Sequence, residues 1–197
     1  MENDASFASQ LRTAGGMLLV LTILTGVAYP LAVTGVARAA FPDKSSGSLV
    51  QQDGKVRGSR LIGQPFDDPK YFWGRVSATA PSPYNAQSSA ASNLGPTNKA
   101  LTDAAKARVE ALRAADPGND ARVPVDLVTS SGSGLDPHIS LAAAEYQVPR
   151  VARTRGLAEA RVRDLVRGNT EGRDLAVFGE PGVNVLLLNL ALDGEHH

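Results

Sequence analysis

The amino-acid sequence predicts an α+β chain: one N-terminal transmembrane helix followed by a soluble domain of mixed helices and strands. Three observations carry that expectation. No charged side chain occurs from Thr13 to Ala37. Further along, apolar residues recur at helical spacing in separate stretches. Between those stretches lie short extended runs bounded by Gly and Pro, the pattern of a domain that mixes both element types. The expected division is a tail over 1–12, a spanning helix over 13–37 and a soluble domain over 38–197, with a juxtamembrane linker at 38–48.

As a helix rising about 1.5 Å per residue, the charge-free stretch reaches about 37 Å, more than the ~30 Å of a hydrocarbon core. Backbone amides in lipid must pair internally, so a lone spanning segment of this kind is helical. Pro30 is expected to kink its outer end. Gly15, Gly16, Thr22, Thr25, Gly26, Ala28, Ala32 and Gly35 leave room for a neighbouring helix, although Gly and Thr are also common in membrane helices generally. A cleaved signal peptide competes, with Ala37-Arg38-Ala39 as its cleavage pattern, but the apolar run exceeds a signal core and an uncleaved anchor is the preferred reading. Arg12 stands on the short side against Arg38, Lys44, Lys55 and Arg57 on the long side, a bias that by itself places the large domain in the cytoplasm.

The expected elements follow in order. A flexible link runs from Pro42 to Gly47, with short extended pieces at Ser48–Gln51 and Arg60–Gln64. Phe66, Tyr71, Phe72, Trp73 and Tyr84 form either a small core or a binding surface. The Pro-, Ser- and Ala-rich run from Ala80 to Pro96 is a long loop or linker. A helix over Asn98–Ala114, capped by Thr97, carries Leu101, Ala105, Val109 and Leu112 on one face. Val123–Thr129 reads as a strand, and Asp136-Pro137 as the start of a helix that Pro149 kinks or restarts. A further helix over Leu157–Arg167 turns Ala158, Val162, Leu165 and Val166 inward and pairs Glu159 with Arg163. Val183–Leu192, apolar at nearly every position, reads as a buried central strand.

Composition narrows the chemistry. The 197 residues hold 20 Lys+Arg, 20 Asp+Glu, no Cys and 3 His. A balanced charge gives no whole-chain attraction to nucleic acid, and without Cys there is neither a disulfide framework nor a thiolate zinc site. The sequence lacks a P-loop, an Asp-Lys-Thr-Gly-Thr phosphorylation site, HExxH and a Gly-x-Ser-x-Gly elbow. Ser131, Ser133, Asp136 and His138 lie close together and admit a membrane-anchored serine hydrolase as the alternative function, although triads are recognised by geometry and not by proximity in sequence. The turn from Gly132 through Gly134 to His138, read as preceding a helix N-terminus, admits an anion such as a nucleotide phosphate, or else is simply a cap. Arg150, Arg153 and Arg155, followed by Arg161, Arg163 and Arg167, are either a solvated face or a dock for an acidic partner or nucleotide.

Taken together, the motifs resemble the C subunit family of the Kdp-type potassium-transporting ATPase. They are Tyr29-Pro30-Leu31 in the span, LIGQPF at 61–66, YFWGRVSA at 71–78, YNAQSSAASNLGPTN at 84–98, SGSGLDPHIS at 131–140, QVPRVARTRGL at 147–157 and NVLLLNLAL at 184–192. Two departures are Val76, where the family has Pro, and Ala90-Ala91, where it has Gly-Gly. The resemblance implies a noncatalytic accessory subunit of a high-affinity potassium uptake pump in the bacterial inner membrane. It also implies a catalytic-chaperone role, aiding assembly and raising the ATP affinity of the catalytic chain. Its partners would be a channel-like potassium-translocating subunit, a P-type ATPase subunit and membrane lipid, with no nucleic acid. The resemblance puts the soluble domain outside the cytoplasm, against the flanking charges, and that side is preferred here; an effect on ATP would then be allosteric. No cofactor is expected to be held firmly, ATP acting through the complex. Subunit-contact candidates are Gly15, Gly26, Tyr29, Pro30, Tyr84, Asn85, Ser92 and Asn93.

Overall fold

In a computed structural model, which describes residues 6–173 and 175–195, the apolar N-terminal sequence forms one continuous helix. It comprises α1 (Phe7–Ile23), a π-helical turn (Leu24–Ala28) and α2 (Tyr29–Ala40). Its 34 residues have a mean hydropathy of 2.0 in the most apolar window, and none of that window is buried. The π turn answers Pro30: a proline lacks the amide that would bond Gly26 and its ring crowds that carbonyl, so the ladder widens just before it. The amide of Tyr29 accordingly donates to the carbonyl of Leu24, five residues back. The expected flexible link contains instead a helical turn, α3 (Pro42–Ser45), closed by Ser45 N–H donating to Phe41 O at 2.9 Å. Residues up to 48 form one compact unit and those from 49 a second.

The second unit is mixed α and β, with small antiparallel sheets. Strands β1 (Leu49–Gln52) and β2 (Lys55–Ser59) form a hairpin across Asp53-Gly54. Both turn residues have positive φ, +54° and +70°, the requirement of the tight turn that matches strand twist. That turn places β2 before the expected piece at 60–64, which is irregular.

Helix α4 (Lys99–Ala115) is capped by Asn98, whose Oδ1 accepts from Ala100 N–H at 2.9 Å, and not by Thr97. The expected strand at 123–129 is a single 3₁₀ turn, Val125–Leu127, because Asp126 turns its carboxylate to the amide of Ser140 at 2.8 Å and Leu127 is fully buried. No helix starts at Asp136. Its Oδ1 accepts from His138 N–H at 2.9 Å, and His138–Ile139 pair as strand β3 with β5 (Gly182–Asn184), which also pairs with β4 (Thr170–Glu171). Helix α5 (Leu141–Arg155) begins after Ser140, whose hydroxyl accepts from Ala143 N–H. It passes through Pro149 without restarting, held by buried neighbours Val148, Arg150, Val151 and Ala152, and ends at Gly156 in the left-handed region.

Helix α6 (Glu159–Gly168) buries Val162 and Val166, with Leu165 packed against the core. Ala158, expected to face inward, is its exposed N-cap. The Glu159–Arg163 pair forms at 2.9 Å. The expected long strand at 183–192 is only β5; Asn184 accepts from Leu187 N–H at 3.2 Å and starts helix α7 (Val185–Gly194). The sheet is three strands wide and short, so the remaining leucines bury more surface as a helix: Leu186, Leu188 and Leu192 all enter the interior.

Candidate functional site

Phe72 and Trp73 are the centre of the core and not a binding surface, at 0% and 6% exposure. Two buried amide side chains clamp this pair as a sheet neighbour would. Asn189 accepts from Phe72 N–H at 2.9 Å and donates to Phe72 O at 3.0 Å. Gln147 accepts from Trp73 N–H at 2.8 Å and donates to Trp73 O at 3.1 Å. The chain continuing from this clamp, together with α4, frames a cleft of about 350 Å³ lined by Phe66, Asp67, Arg75, Tyr84, Ala104 and Arg108, among others.

Tyr84 builds one wall at a conformational cost, since its φ of +55° is strained for an aromatic residue. Its hydroxyl donates to Arg75 O at 2.6 Å and its amide to Ser77 Oγ at 2.8 Å. Gly63 and Gly74 make space for it: a Cβ at Gly63 would stand 2.3 Å from the ring, and one at Gly74 2.9 Å from the hydroxyl. The irregular run at 80–96 is therefore tied down. Asn85 donates its amide N–H to Thr79 Oγ1 at 3.0 Å, and Ala90 N–H donates to Ser133 O at 3.0 Å. Neither Ala90 nor Ala91 has a positive φ, so alanine costs these positions no strain, whereas Gly134 has φ +68° and a Cβ there would meet Ala90 O at 2.6 Å. Val76 forms a bridge with Ser130. Ser92 and Asn93 are exposed.

The Gly-rich turn lies before a strand, so it offers no helix terminus to an anion; at the actual start of α5 the Ser140 hydroxyl and the Asp126 carboxylate accept from amides. Ser131 is buried, and Ser133 accepts from Leu135 N–H. His138 faces carboxylates: Nε2 lies 3.1 Å from Glu171 and Nδ1 3.6 Å from Asp136, an ion-pair distance. Asp136 and then Glu171 raise the His138 pKa against the opposing effect of burial. Burial pushes Asp136 up, but His138 and Arg75 outweigh it and hold the carboxyl below its ordinary value. Arg75 donates to Asp136 at 3.1 Å and to Ser130 O at 3.2 Å, leaving its buried Nε without a partner among the described residues. Among the described residues, neither serine bonds the imidazole.

The arginine run divides. Arg150 is buried, donating to Pro69 O and to Gln147 Oε1. Arg153 pairs with Asp116. Arg155, its side chain 2% exposed, pairs with Asp193 and lies 4.9 Å from the Tyr71 ring centroid. Arg161, Arg163 and Arg167 form surface pairs with Glu195, Glu145 and Asp164. The first three thus tie elements of the fold together. Gly15, Gly26, Tyr29 and Pro30 lie exposed on the N-terminal helix. Sequence reasoning missed Arg75, Arg108, Gln147 and Asn189 as individual residues. The signal for Arg108 is its setting among Ala104, Ala107 and Ala111, small residues that leave a long side chain room on a helix.

Residues 11–194 match the family model described as KdpC: K+-transporting ATPase, c chain. A potassium-transporting ATPase KdpC subunit of Sorangium cellulosum is 69% identical, covering 94% of this chain and 98% of that protein. Those of Methylococcus capsulatus and Dechloromonas aromatica are 65% and 62% identical, covering 90% and 93% of this chain and 93% and 96% of theirs.

Proposed function

The chain belongs to the KdpC family, subunits of the K+-transporting ATPase, and on that premise we propose that it is a noncatalytic accessory subunit that anchors a capping domain to the pump's larger chains. The observation that carries this reading is the continuous apolar helix Phe7–Ala40, long and apolar enough to cross a membrane. A helix of that composition belongs in lipid, where its small residues admit a close neighbour; that neighbour is the channel-like subunit. The domain that follows spends His138 and most of its arginines on internal pairs, as a structural cap does.

This chain aids assembly of the complex in the bacterial inner membrane and raises the ATP affinity of the P-type catalytic subunit. With the domain outside the cytoplasm, that effect reaches the nucleotide site through the membrane-embedded chains, as a coupling free energy of roughly 1–3 kcal/mol. The test is detergent copurification of the pump with and without this chain, followed by potassium-stimulated ATP hydrolysis. Omission should weaken assembly and raise the KM for ATP by about 5- to 150-fold. A complete pump with unchanged ATP dependence would refute the role. Protease added to spheroplasts should digest the domain while leaving the span, and protection would reverse the orientation.

A further inference from the structure

The cleft beside α4 is lined by the guanidiniums of Arg75 and Arg108 and by the carboxylate of Asp67. Arg108 and Arg150 both approach Trp73, at 5.0 and 4.9 Å from its ring. Among the described residues, neither has a carboxylate at ion-pair distance, whereas Arg75 is paired with Asp136. Two guanidiniums around one indole repel each other in poorly solvated surroundings, and burial lowers the pKa of both, that of Arg150 to about 10. Arg150 is closed off from solvent. Arg108 donates Nε–H to Leu127 O and Nη2–H to Gly74 O, both at 3.2 Å, and lines the cleft with no acceptor on Nη1 among the described residues. Asp67 is the one acid among the lining residues, exposed and beyond ion-pair distance of Arg108.

We propose that this cleft receives the carboxylate of an Asp or Glu side chain from another chain of the pump, bound by Arg108 beside Phe66, Ala104 and Ala107. The inference rests on the pump-subunit reading. Three features select that ligand. Arg108 interacts with Asp67 only through space and not as an ion pair, so its guanidinium suits one directly bonded monoanion, whereas a triphosphate would bring several negative charges past Asp67. The volume, about 350 Å³, is at the small end for ligand pockets and suits a side chain. Walls of Phe66, Pro65, Pro83, Ala104 and Ala107 suit the methylenes that precede a carboxylate better than a hydrated inorganic ion. The strained Tyr84 backbone, supported by two glycines, shows that the fold accepts a cost to shape this wall.

The test uses the full chain assembled with the other pump subunits. Ala104 is exposed on α4 one turn before Arg108, so Ala104→Glu supplies an internal carboxylate at i,i+4 without removing any bond of the fold, and Ala104→Gln is its neutral counterpart. Ala104→Glu should weaken retention of the chain by the complex at least about tenfold, with Ala104→Gln within twofold of wild type. Equal retention of Ala104→Glu and wild type, or equal loss in both variants, would overturn the proposal. In a second arm, Arg108→Lys places an amine at the site, and carbodiimide treatment of the complex should join position 108 to an Asp or Glu of another chain. Coupling to Asp67 alone, or no coupling at 108, would overturn it. An Arg108-dependent rise in melting temperature with millimolar phosphate or ATP but not acetate would reassign the cleft to a free anion. Failure of the wild-type chain to copurify would instead refute the subunit reading itself, and this proposal with it.

Discussion

Replacing Asn189 by Ala should destabilise the soluble domain by about 3 kcal/mol, through two backbone groups the substitution never touches covalently. Phe72 is fully buried, and its N–H and C=O each have their bond to the Asn189 amide, at 2.9 and 3.0 Å. Removing that amide leaves both groups out of water and unpaired, at roughly 1–3 kcal/mol each. For a domain of about 150 residues, each kcal/mol lowers the melting temperature by roughly 2–4 °C, so a fall of about 6–12 °C is expected. Trp73, the only tryptophan and the next residue in the chain, makes the assay direct: its emission follows the clamp during urea or thermal unfolding of the detergent-solubilised chain. Asn189→Asp keeps the acceptor but sets a carboxylate against the Phe72 carbonyl, so it should cost more at neutral pH and recover in part on acidification, as a protonated acid donates again. A loss below about 1 kcal/mol in Asn189→Ala would refute the reasoning that this amide substitutes for a missing strand.

Gly63→Ala should cost about 2–3 kcal/mol in a urea titration, because the added Cβ would stand 2.3 Å from the Tyr84 ring and 2.8 Å from the Asp136 carbonyl; unchanged stability would mean the ring moves freely. The His138 pKa is raised in the folded state by Asp136 and Glu171, so its pairing stabilises fully below the ordinary value near 6.5 and is lost as pH rises through the folded value. His138→Gln should therefore lower melting temperature more at pH 6 than at pH 9, and a pH-independent difference would contradict the pairing. Val20→Arg places a charge in the apolar helix at a cost of about 3 kcal/mol. Together with Leu24→Arg it should shift the chain into the supernatant after alkaline extraction of membranes, and full retention would argue against a span.

The elements fixed by local chemistry were legible in the sequence. A charge-free run long enough for a bilayer has one backbone solution, since lipid offers amides no partner, and the helix runs Phe7–Ala40. The faces of α4 and α6 followed from spacing, with Leu112, Val162 and Val166 buried as expected. The run at 183–192 did not follow, because a short apolar stretch satisfies either periodicity; the limited sheet and the Asn184 cap decide it. Arginines at 150, 153 and 155 read as one basic patch because sequence shows charge but not counter-charge. Asp116, Asp193 and the carbonyl of Pro69 come from distant segments. Residues alone thus determined the long apolar helix and the family. Tertiary structure decided which polar groups are already satisfied and which, at Arg108, still face an opening, because desolvation and pairing depend on neighbours that only the folded chain brings together.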